Sequence, residues 1–470
     1  MFDSKFSIRK SVLNGSIWSL LAKVVQVGAA FISVPLTLNY LGVERMGLWR
    51  LAISMLTIIS IINAGLMPHI KTKMAESFAA KNESQFIAYS STGALIGLIV
   101  VLLGPVAALL ASVFDWESMM RVSDPIARQE TLPLVIVVVV CTFAQIGSNF
   151  ISAIFDARML LSKPRINDLI GSIAGFLLLL GGIHLKVSLP TLAALIVVPG
   201  FLLRLTMLVT LFRINRKIIQ PDILTTRRIM KEWTGPGLLA VGIQCGTIAI
   251  SAAPNFIVAR TLSLIEVTHF SICYQLATLP LTFIAVVVPV FWPAFTMMWR
   301  SGDRHKVGRW LILMCGGTIV MCIIFTIGLG VAGPWFIRLW THGAIESDES
   351  FLLLLGVFVV AQGALHWLSI FMWSINELRI QLVTQVVSAV MLVLIGYPLS
   401  YHFGLRGIAL AMSCAIGVGA LVPMGWKSWS LVYFGSRLPK TDKKKLVIYK
   451  SSFSISKNIG EINHLESHEF

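Results

Sequence analysis

Asn14-Gly15-Ser16-Ile17-Trp18-Ser19-Leu20-Leu21-Ala22-Lys23-Val24-Val25-Gln26-Val27-Gly28-Ala29-Ala30-Phe31-Ile32-Ser33-Val34-Pro35-Leu36-Thr37-Leu38 is the stretch that decides the fold. It carries one formal charge, Lys23, and is long enough to cross a hydrocarbon core about 30 Å thick. Its polar residues are ordered: Ser16, Ser19, Lys23, Gln26, Ser33 and Thr37, with Ala30 in series, recur at alternating spacings of three and four and line one helix face. Two readings of that face are open. One is close helix packing, which small and hydroxyl residues favour; the other is a water-filled cavity. Gln26 and Lys23 are large and polar for a packing seam and favour the cavity.

Blocks of similar length recur along the chain, at 46–66, 88–113, 132–156, 167–185, 190–212, 234–257, 268–292, 310–332, 351–374, 380–400 and 405–432. Short turns separate some of them, at Leu41-Gly42 and Phe403-Gly404. Hydrophobic residues make up 56% of the chain and charged residues 13%, against about a quarter charged in soluble domains. The blocks are apolar on nearly every side, as buried or lipid-facing helices are. Backbone groups cannot stay unpaired in lipid, so the spans read as helices. The alternation of a transmembrane β-barrel is absent. The expected fold is an all-α polytopic membrane protein with about 12 transmembrane helices. A basic start and an overlong apolar run make the first span a retained helix rather than a cleaved signal.

Placing the N-terminus in the cytoplasm puts seventeen Lys and Arg residues in the interior cytoplasmic loops and seven on the opposite side. That bias predicts both termini cytoplasmic. The net charge of +16 therefore points to orientation and anionic lipid headgroups, not to nucleic acid. Trp233, Trp299, Trp335, Trp340, Trp426 and Trp429 fall at span ends, as interfacial anchors do. All six cysteines lie within spans and read as small apolar residues. No metal spacing occurs among the histidines. Gly417-Val418-Gly419 lies inside a span and is no nucleotide loop. No cofactor is expected.

At an offset of 218 residues, 14–38 aligns with 232–256: Leu20-Leu21-Ala22 with Leu238-Leu239-Ala240, Gln26 with Gln244, Gly28 with Gly246, and Ile32-Ser33 with Ile250-Ser251. Apolar helices match easily by chance, but the paired Gln is harder to dismiss. A basic linker, 213–233, contains the breaker Pro221-Asp222. Two six-helix bundles, 1–220 and 221–432, are expected, related by a pseudo-two-fold axis along the membrane normal. The basic tail 433–470 includes Lys443-Lys444-Lys445 and receives no function.

Three cations fall inside spans: Lys23, Arg50 and Arg204. Lys23 lies roughly 14 Å along its helix axis. An ammonium there needs water, a partner or a path to the interface by snorkelling. Arg50 shares a face with Ser54 and Thr57 and lines the cavity or snorkels. Arg204 reads as structural, because its helix has no polar stripe. No Asp or Glu falls in the middle of a predicted span; Asp156, Asp168, Glu266 and Glu377 sit at span ends. Buried cations without buried anions predict an anionic cargo, whose outward movement an inside-negative potential favours by about 2.3 kcal/mol per charge per 100 mV. The acidic loops 114–131 and 333–350, with Glu130, Glu346 and Asp348 among their residues, read as solvated surface. Pro35, Pro254, Pro289 and Pro293 are candidate bends, mobile or simply packed.

The opening Asn14-Gly15-Ser16-Ile17-Trp18 and the turn Tyr40-Leu41-Gly42-Val43-Glu44-Arg45-Met46-Gly47-Leu48-Trp49, with twelve spans as six plus six, resemble the polysaccharide (O-antigen) flippase family. That family belongs with lipid II flippases and multidrug exporters in one multidrug/oligosaccharidyl-lipid/polysaccharide transporter superfamily. Where the family often has Asp-x-Gly-Leu, this chain has Asn63-Ala64-Gly65-Leu66. Related lipid II flippases carry cavity arginines on the first, second and eighth spans. Lys23 and Arg50 fall near the first two, and the eighth reads Tyr274-Gln275-Leu276, without a cation, which leans toward oligosaccharide cargo.

The resemblance implies an undecaprenyl-diphosphate-linked oligosaccharide, flipped from the inner to the outer leaflet of the bacterial cytoplasmic membrane by alternating access. Lys23 and Arg50 would hold the diphosphate, and Gln26, Ser33, Gln244 and Asn255 would meet sugar hydroxyls. Expected partners are the lipid-linked oligosaccharide, membrane lipids, and polysaccharide polymerase and chain-length machinery. The runner-up is a multidrug or metabolite exporter of the same architecture, which a carboxylate facing the cavity would favour. A membrane glycosyltransferase or polymerase would need catalytic spacing that the acidic loops lack.

Overall fold

The computed structural model describes residues 8–59, 66–214, 219–220, 226–229 and 236–434. Asn63-Ala64-Gly65, Pro221-Asp222, Trp233 and Lys443-Lys444-Lys445 lie outside the described residues. The described chain is almost wholly helical, with no strand among the described residues.

The first helix, α1 (Ile8–Ile59), holds two spans joined at one residue. Gly42 has φ 74° and ψ 173°, a conformation closed to side chains with a Cβ, so the helix reverses there without a loop. Gly404, at φ 59° and ψ −138°, does the same inside α14 (Leu378–Ile416). Both are the turns that the sequence predicts. Between them run α2 (Leu66–Ala79), α3 (Glu83–Ala111), α4 (Trp116–Met120), α5 (Pro125–Ala157), α6 (Ser162–His184), α7 (Leu189–Ile214), α8 (Pro236–Thr261), α9 (Leu264–Ala277), α10 (Leu279–Val287), α11 (Trp292–Arg300), α12 (Arg304–Trp340) and α13 (Glu349–Ser374). A π-helical stretch, Gly417–Leu421, and α15 (Val422–Trp429) finish the described chain's last span.

Among the described residues nine helices are long and apolar enough to span a membrane, or ten when α9 and α10, bent by 49°, count as one. The breaks at Gly42 and Gly404 divide two of these, which yields the twelve predicted spans. The spans form two bundles of six. Helix starts repeat: α3 and α12 begin 221 residues apart, α5 and α13 224, α6 and α14 216. Within the first bundle α3 packs on α5 and α1 on α6; within the second α12 packs on α13 and α8 on α14. Lipid-facing surfaces carry bare Leu and Val, among them Leu109, Val113, Val331 and Leu394.

Small residues let the helices approach. Gly97 on α3 and Gly147 on α5 face each other so closely that a Cβ on either would overlap the other's carbonyl oxygen. The bend between α9 and α10 falls at Thr278, ahead of Pro280. Pro35 and Pro254 lie inside α1 and α8, Pro289 in a 3-10 turn (Val288–Phe291), and Pro293 at the start of α11.

Three parts of the loop reading are corrected. The region 67–87 contains α2, whose Ile70 and Met74 are buried against Phe86, Phe150 and Phe155. The region 293–309 contains α11, with Phe295 fully buried. Glu130 is not solvated: α5 begins at Pro125, capped by Asp124, seven residues before the expected span start. The Glu130 carboxylate accepts two hydrogen bonds from Arg45 at 2.8 Å and the Leu189 backbone N–H at 3.0 Å. It thereby ties the Gly42 turn to α5 and α7. The other acidic loop behaves as expected in part, with α12 running on to Trp340. Asp348 caps α13; hydrogen bonds from Ser350, Arg406 and the Phe351 N–H hold its carboxyl below the ordinary value. Trp335 and Trp426 are exposed as anchors should be, whereas Trp340 turns inward and stacks on Phe31.

Glu130→Ala leaves the Arg45 guanidinium buried without a counter-charge, and is expected to destabilise the first bundle by about 3–5 kcal/mol. Thermal unfolding of purified protein in detergent measures it, and a variant melting with the wild type would refute the role given to this pair.

Candidate functional site

The bundles meet along a seam formed mainly by α1 against α8 and α9. Among the described residues, four hydrogen bonds cross it. Thr268 donates to the Val43 carbonyl at 2.6 Å, Asn255 Nδ2 to Ser54 at 2.7 Å, Trp340 Nε1 to the Phe31 carbonyl at 3.1 Å, and Gln275 Nε2 to the Ala30 carbonyl at 3.5 Å. All four lie between the Gly42 face and mid-depth. Gly47 is the closest approach: a Cβ there would overlap the Leu264 carbonyl. On the opposite side, toward the start of α1, Ile17, Leu20, Leu21 and Val24 are exposed. The hydrogen bonds across the seam gather toward the Gly42 face, and the start of α1 is exposed.

Two cavities take in the polar stripe of α1, and a third, of about 460 Å³, lies between Leu51, Trp116 and Met120 of the first bundle and Phe256, Arg260 and Tyr397 of the second. The first, of about 390 Å³, lies within the first bundle and is closed by Gln275 from α9. Gln26, Ser33 and Arg50 of α1 line it, with Asp168 and Ser172 of α6 and Arg204 of α7. The second, of about 320 Å³, lies within the second bundle, and Lys23 of α1 reaches into it from the first. Gln26 and Lys23 are adjacent on the polar stripe of α1, and Gln275 and Tyr274 adjacent on α9, so the same two helices wall both cavities.

The predicted site residues therefore separate. Gln26, Ser33 and Arg50 share the first cavity, and Lys23 faces the second. Gln26 donates to Ser172 at 3.2 Å, and Ser33 donates to its own helix at the Ala30 carbonyl. Asn255 lies on the seam with Oδ1 unpartnered. Gln244 is exposed and lines neither cavity.

Arg50 forms no ion pair among the described residues, and its buried Nε has no hydrogen-bond partner. A guanidinium held in that way needs an anion or water from the cavity. Arg204 is anchored as a structural residue, at 3.6 Å to Asp168 and at 3.2 Å to the Gln145 carbonyl, and it also lines the first cavity. Asp168 differs from its sequence reading. Helix α6 begins at Ser162, five residues before the predicted span, so Asp168 sits inside it and lines the cavity. Arg165, at 3.5 Å, and Arg204 both oppose its charge. With Arg50 and Arg204 against Asp168, the first cavity keeps a net positive lining. Gln275 closes this cavity from α9, and its Oε1 has no hydrogen-bond partner among the described residues.

No protein-family model matches the sequence, and no curated protein sequence matches it. Solved structures do match. An inward-facing multidrug-resistance MATE family transporter of the MOP superfamily superposes with a TM-score of 0.70 at 15% identity, over 89% of this chain and 98% of that one. An outward-facing one gives 0.65 at 16%, over 93% and 98%. The chain has their fold. A MOP superfamily transporter from Pyrococcus furiosus, described as having a binding pocket of reversed polarity and a different function, gives 0.63 at 15%, over 91% and 97%.

Paired cysteines at Ser54 and Asn255, in a chain whose six native cysteines are replaced, should form a cross-link in membranes. Gly47→Leu, which forces α1 off Leu264, should reduce its yield. Equal cross-linking with and without Gly47→Leu would show that this contact does not hold the seam.

Proposed function

We propose that this chain flips an undecaprenyl-diphosphate-linked oligosaccharide, an O-antigen or similar repeat unit, between the leaflets of a bacterial cytoplasmic membrane. The observation that carries the proposal is Arg50: a half-buried cation lining a cavity, in no ion pair among the described residues and with its buried Nε unpartnered. A diphosphate supplies that charge, and hydrogen bonds to ionised groups are worth about 1.5–3 kcal/mol each. Arg204 adds a second cation to the same wall. The polyprenyl tail needs no protein cavity, since lipid is its solvent.

Direction follows from the seam. With α1 starting in the cytoplasm, as the basic loops predict, the exposed start of α1 faces inward and the hydrogen-bonded side of the seam outward. The better superposition on the inward-facing neighbour than on the outward-facing one supports this assignment. Alternating access is then the unzipping of Val43, Ser54 and Phe31 from Thr268, Asn255 and Trp340 while the opposite side closes. That motion keeps each bundle's internal packing and changes only the contacts between them.

One observation favours the drug or metabolite exporter. Asp168 lines the first cavity, and the solved neighbours include multidrug-resistance transporters. An exporter of cations needs a carboxylate free to hold them, however, and Arg165 and Arg204 already oppose this one. The neighbour whose reversed pocket polarity suggests a different function is in keeping with a fold that serves more than one cargo.

Deletion in the native host should cause complete lipid-linked repeat units to accumulate on the cytoplasmic leaflet and surface polysaccharide to fall. Arg50→Gln at normal membrane level should reproduce the defect, with roughly 10–100-fold weaker binding of undecaprenyl diphosphate. Unchanged surface polysaccharide, together with new resistance to cationic dyes on overexpression, would replace this reading with the exporter.

A further inference from the structure

The second cavity has a different chemistry from the first. We propose that it is a sugar subsite, receiving the glycan part of the cargo whose diphosphate sits at Arg50; this rests on the flippase reading above. Its lining is rich in acceptors. Gln362 of α13 and Gln385 of α14 both line it, and the side-chain oxygen of each is buried without a hydrogen-bond partner. Gln385 is 5% exposed. The hydroxyls of Thr247, Ser251 and Thr278 donate to carbonyls one turn back on their own helices, at 3.0, 2.9 and 2.8 Å, so toward a ligand they offer lone pairs. His366 has Nδ1 at 2.7 Å from the Gln362 carbonyl. That bond places the ring proton on Nδ1 and leaves Nε2 an acceptor.

A ligand matching this wall must bring several O–H or N–H donors. An alkali cation would meet the Lys23 ammonium, and a second phosphate would pair with that ammonium but leave the Gln362 and Gln385 oxygens unmet, since it brings no donors. A neutral polyhydroxylated ring fits both: its hydroxyls donate to Gln362 and Gln385 and accept from Lys23. Tyr274 and Phe358, ring centroids 6.0 Å apart, supply flat apolar faces for the C–H side of a pyranose. At about 320 Å³ the cavity is within the size of small-molecule sites. Burying an unmet carboxamide oxygen costs free energy that a bound hydroxyl recovers. A site built to bond hydroxyls also discriminates against cargo that lacks them. The arrangement moves the sugar-binding role from Gln26, Ser33, Gln244 and Asn255, largely committed to other partners or outside the cavities, to residues on α13 and α14.

The test measures binding to the full chain in nanodiscs with two probes: undecaprenyl diphosphate, and undecaprenyl diphosphate bearing one N-acetylhexosamine. The wild type should prefer the sugar-bearing lipid by about tenfold. Gln385→Leu should abolish that preference and leave the sugar-free lipid's affinity unchanged. Gln362→Leu serves as a second, independent variant, and thermal unfolding confirms that each remains folded. Arg50→Gln should weaken both lipids by the same factor. Equal wild-type affinity for the two lipids, or a preference that survives both Gln variants, overturns the subsite while Arg50 dependence keeps the flippase reading. Failure of either lipid to bind the wild type overturns that reading itself, and the subsite with it.

Discussion

A full charge at hydrocarbon depth must find a counter-charge or water, and this chain meets that demand in different ways at different depths. At the Gly42 face Arg45 is matched by Glu130 in a two-pronged pair that also satisfies the first N–H of α7. Near the opposite face Asp156 takes Lys71 at 2.5 Å and Arg165 at 3.4 Å. Further in, Arg204 is held by Asp168 and by a carbonyl of α5. Arg50 has no such arrangement. The paired charges fix helices to one another within the first bundle. Arg50 and Lys23, in no ion pair among the described residues, each line a cavity instead.

The polar surface of the seam obeys the same economy. Each hydrogen bond across it uses groups that remain solvated when the bundles part: a backbone carbonyl of α1 at Val43, Ala30 and Phe31, or the Ser54 hydroxyl. None is an ion pair. Separating two neutral partners into water costs little net free energy, about 1 kcal/mol each, whereas breaking a buried ion pair costs far more. Strong pairs inside the bundle and weak ones between bundles give a structure whose cheap motion is the rocking of one half on the other. Gly47 allows the backbone contact that makes the closed side tight without adding a strong bond.

Much of this was legible in the sequence, for reasons of length. A hydrocarbon slab imposes a minimum apolar run, so all twelve spans and both glycine turns could be read directly from composition. What escaped detection were the polar first turns. Hydropathy sees Pro125 to Thr131, or Ser162 to Ile166, as loop, yet α5 starts early on the Asp124 cap and Pro125, and α6 starts at Ser162 with Pro164 in its first turn. Glu130 and Asp168 were therefore misplaced, and with them the partners of Arg45 and Arg204. Helices α2 and α11 escaped because, at 14 and 9 residues, they are too short to cross a membrane and show no span-length apolar run.

The site divides along the same line. The stripe on α1 was visible because seven positions repeat on one helix, and it does line cavity walls. It does not determine which wall each residue joins. Lys23 and Gln26 are one turn apart and face different bundles, because α1 is itself the partition between the two cavities. The acceptors of the second cavity are sparse on each helix, Gln362 and His366 one turn apart on α13 and Gln385 on α14, and only packing brings them together. A chain that transports a ligand with one charged end and one hydroxylated end needs two such unlike surfaces on either side of a movable partition. The cationic surface announces itself, since charge is conspicuous in an apolar sequence. The hydroxyl-binding surface is made of residues that elsewhere would pass as ordinary helix neighbours, and it is recognisable only by what they leave unbonded.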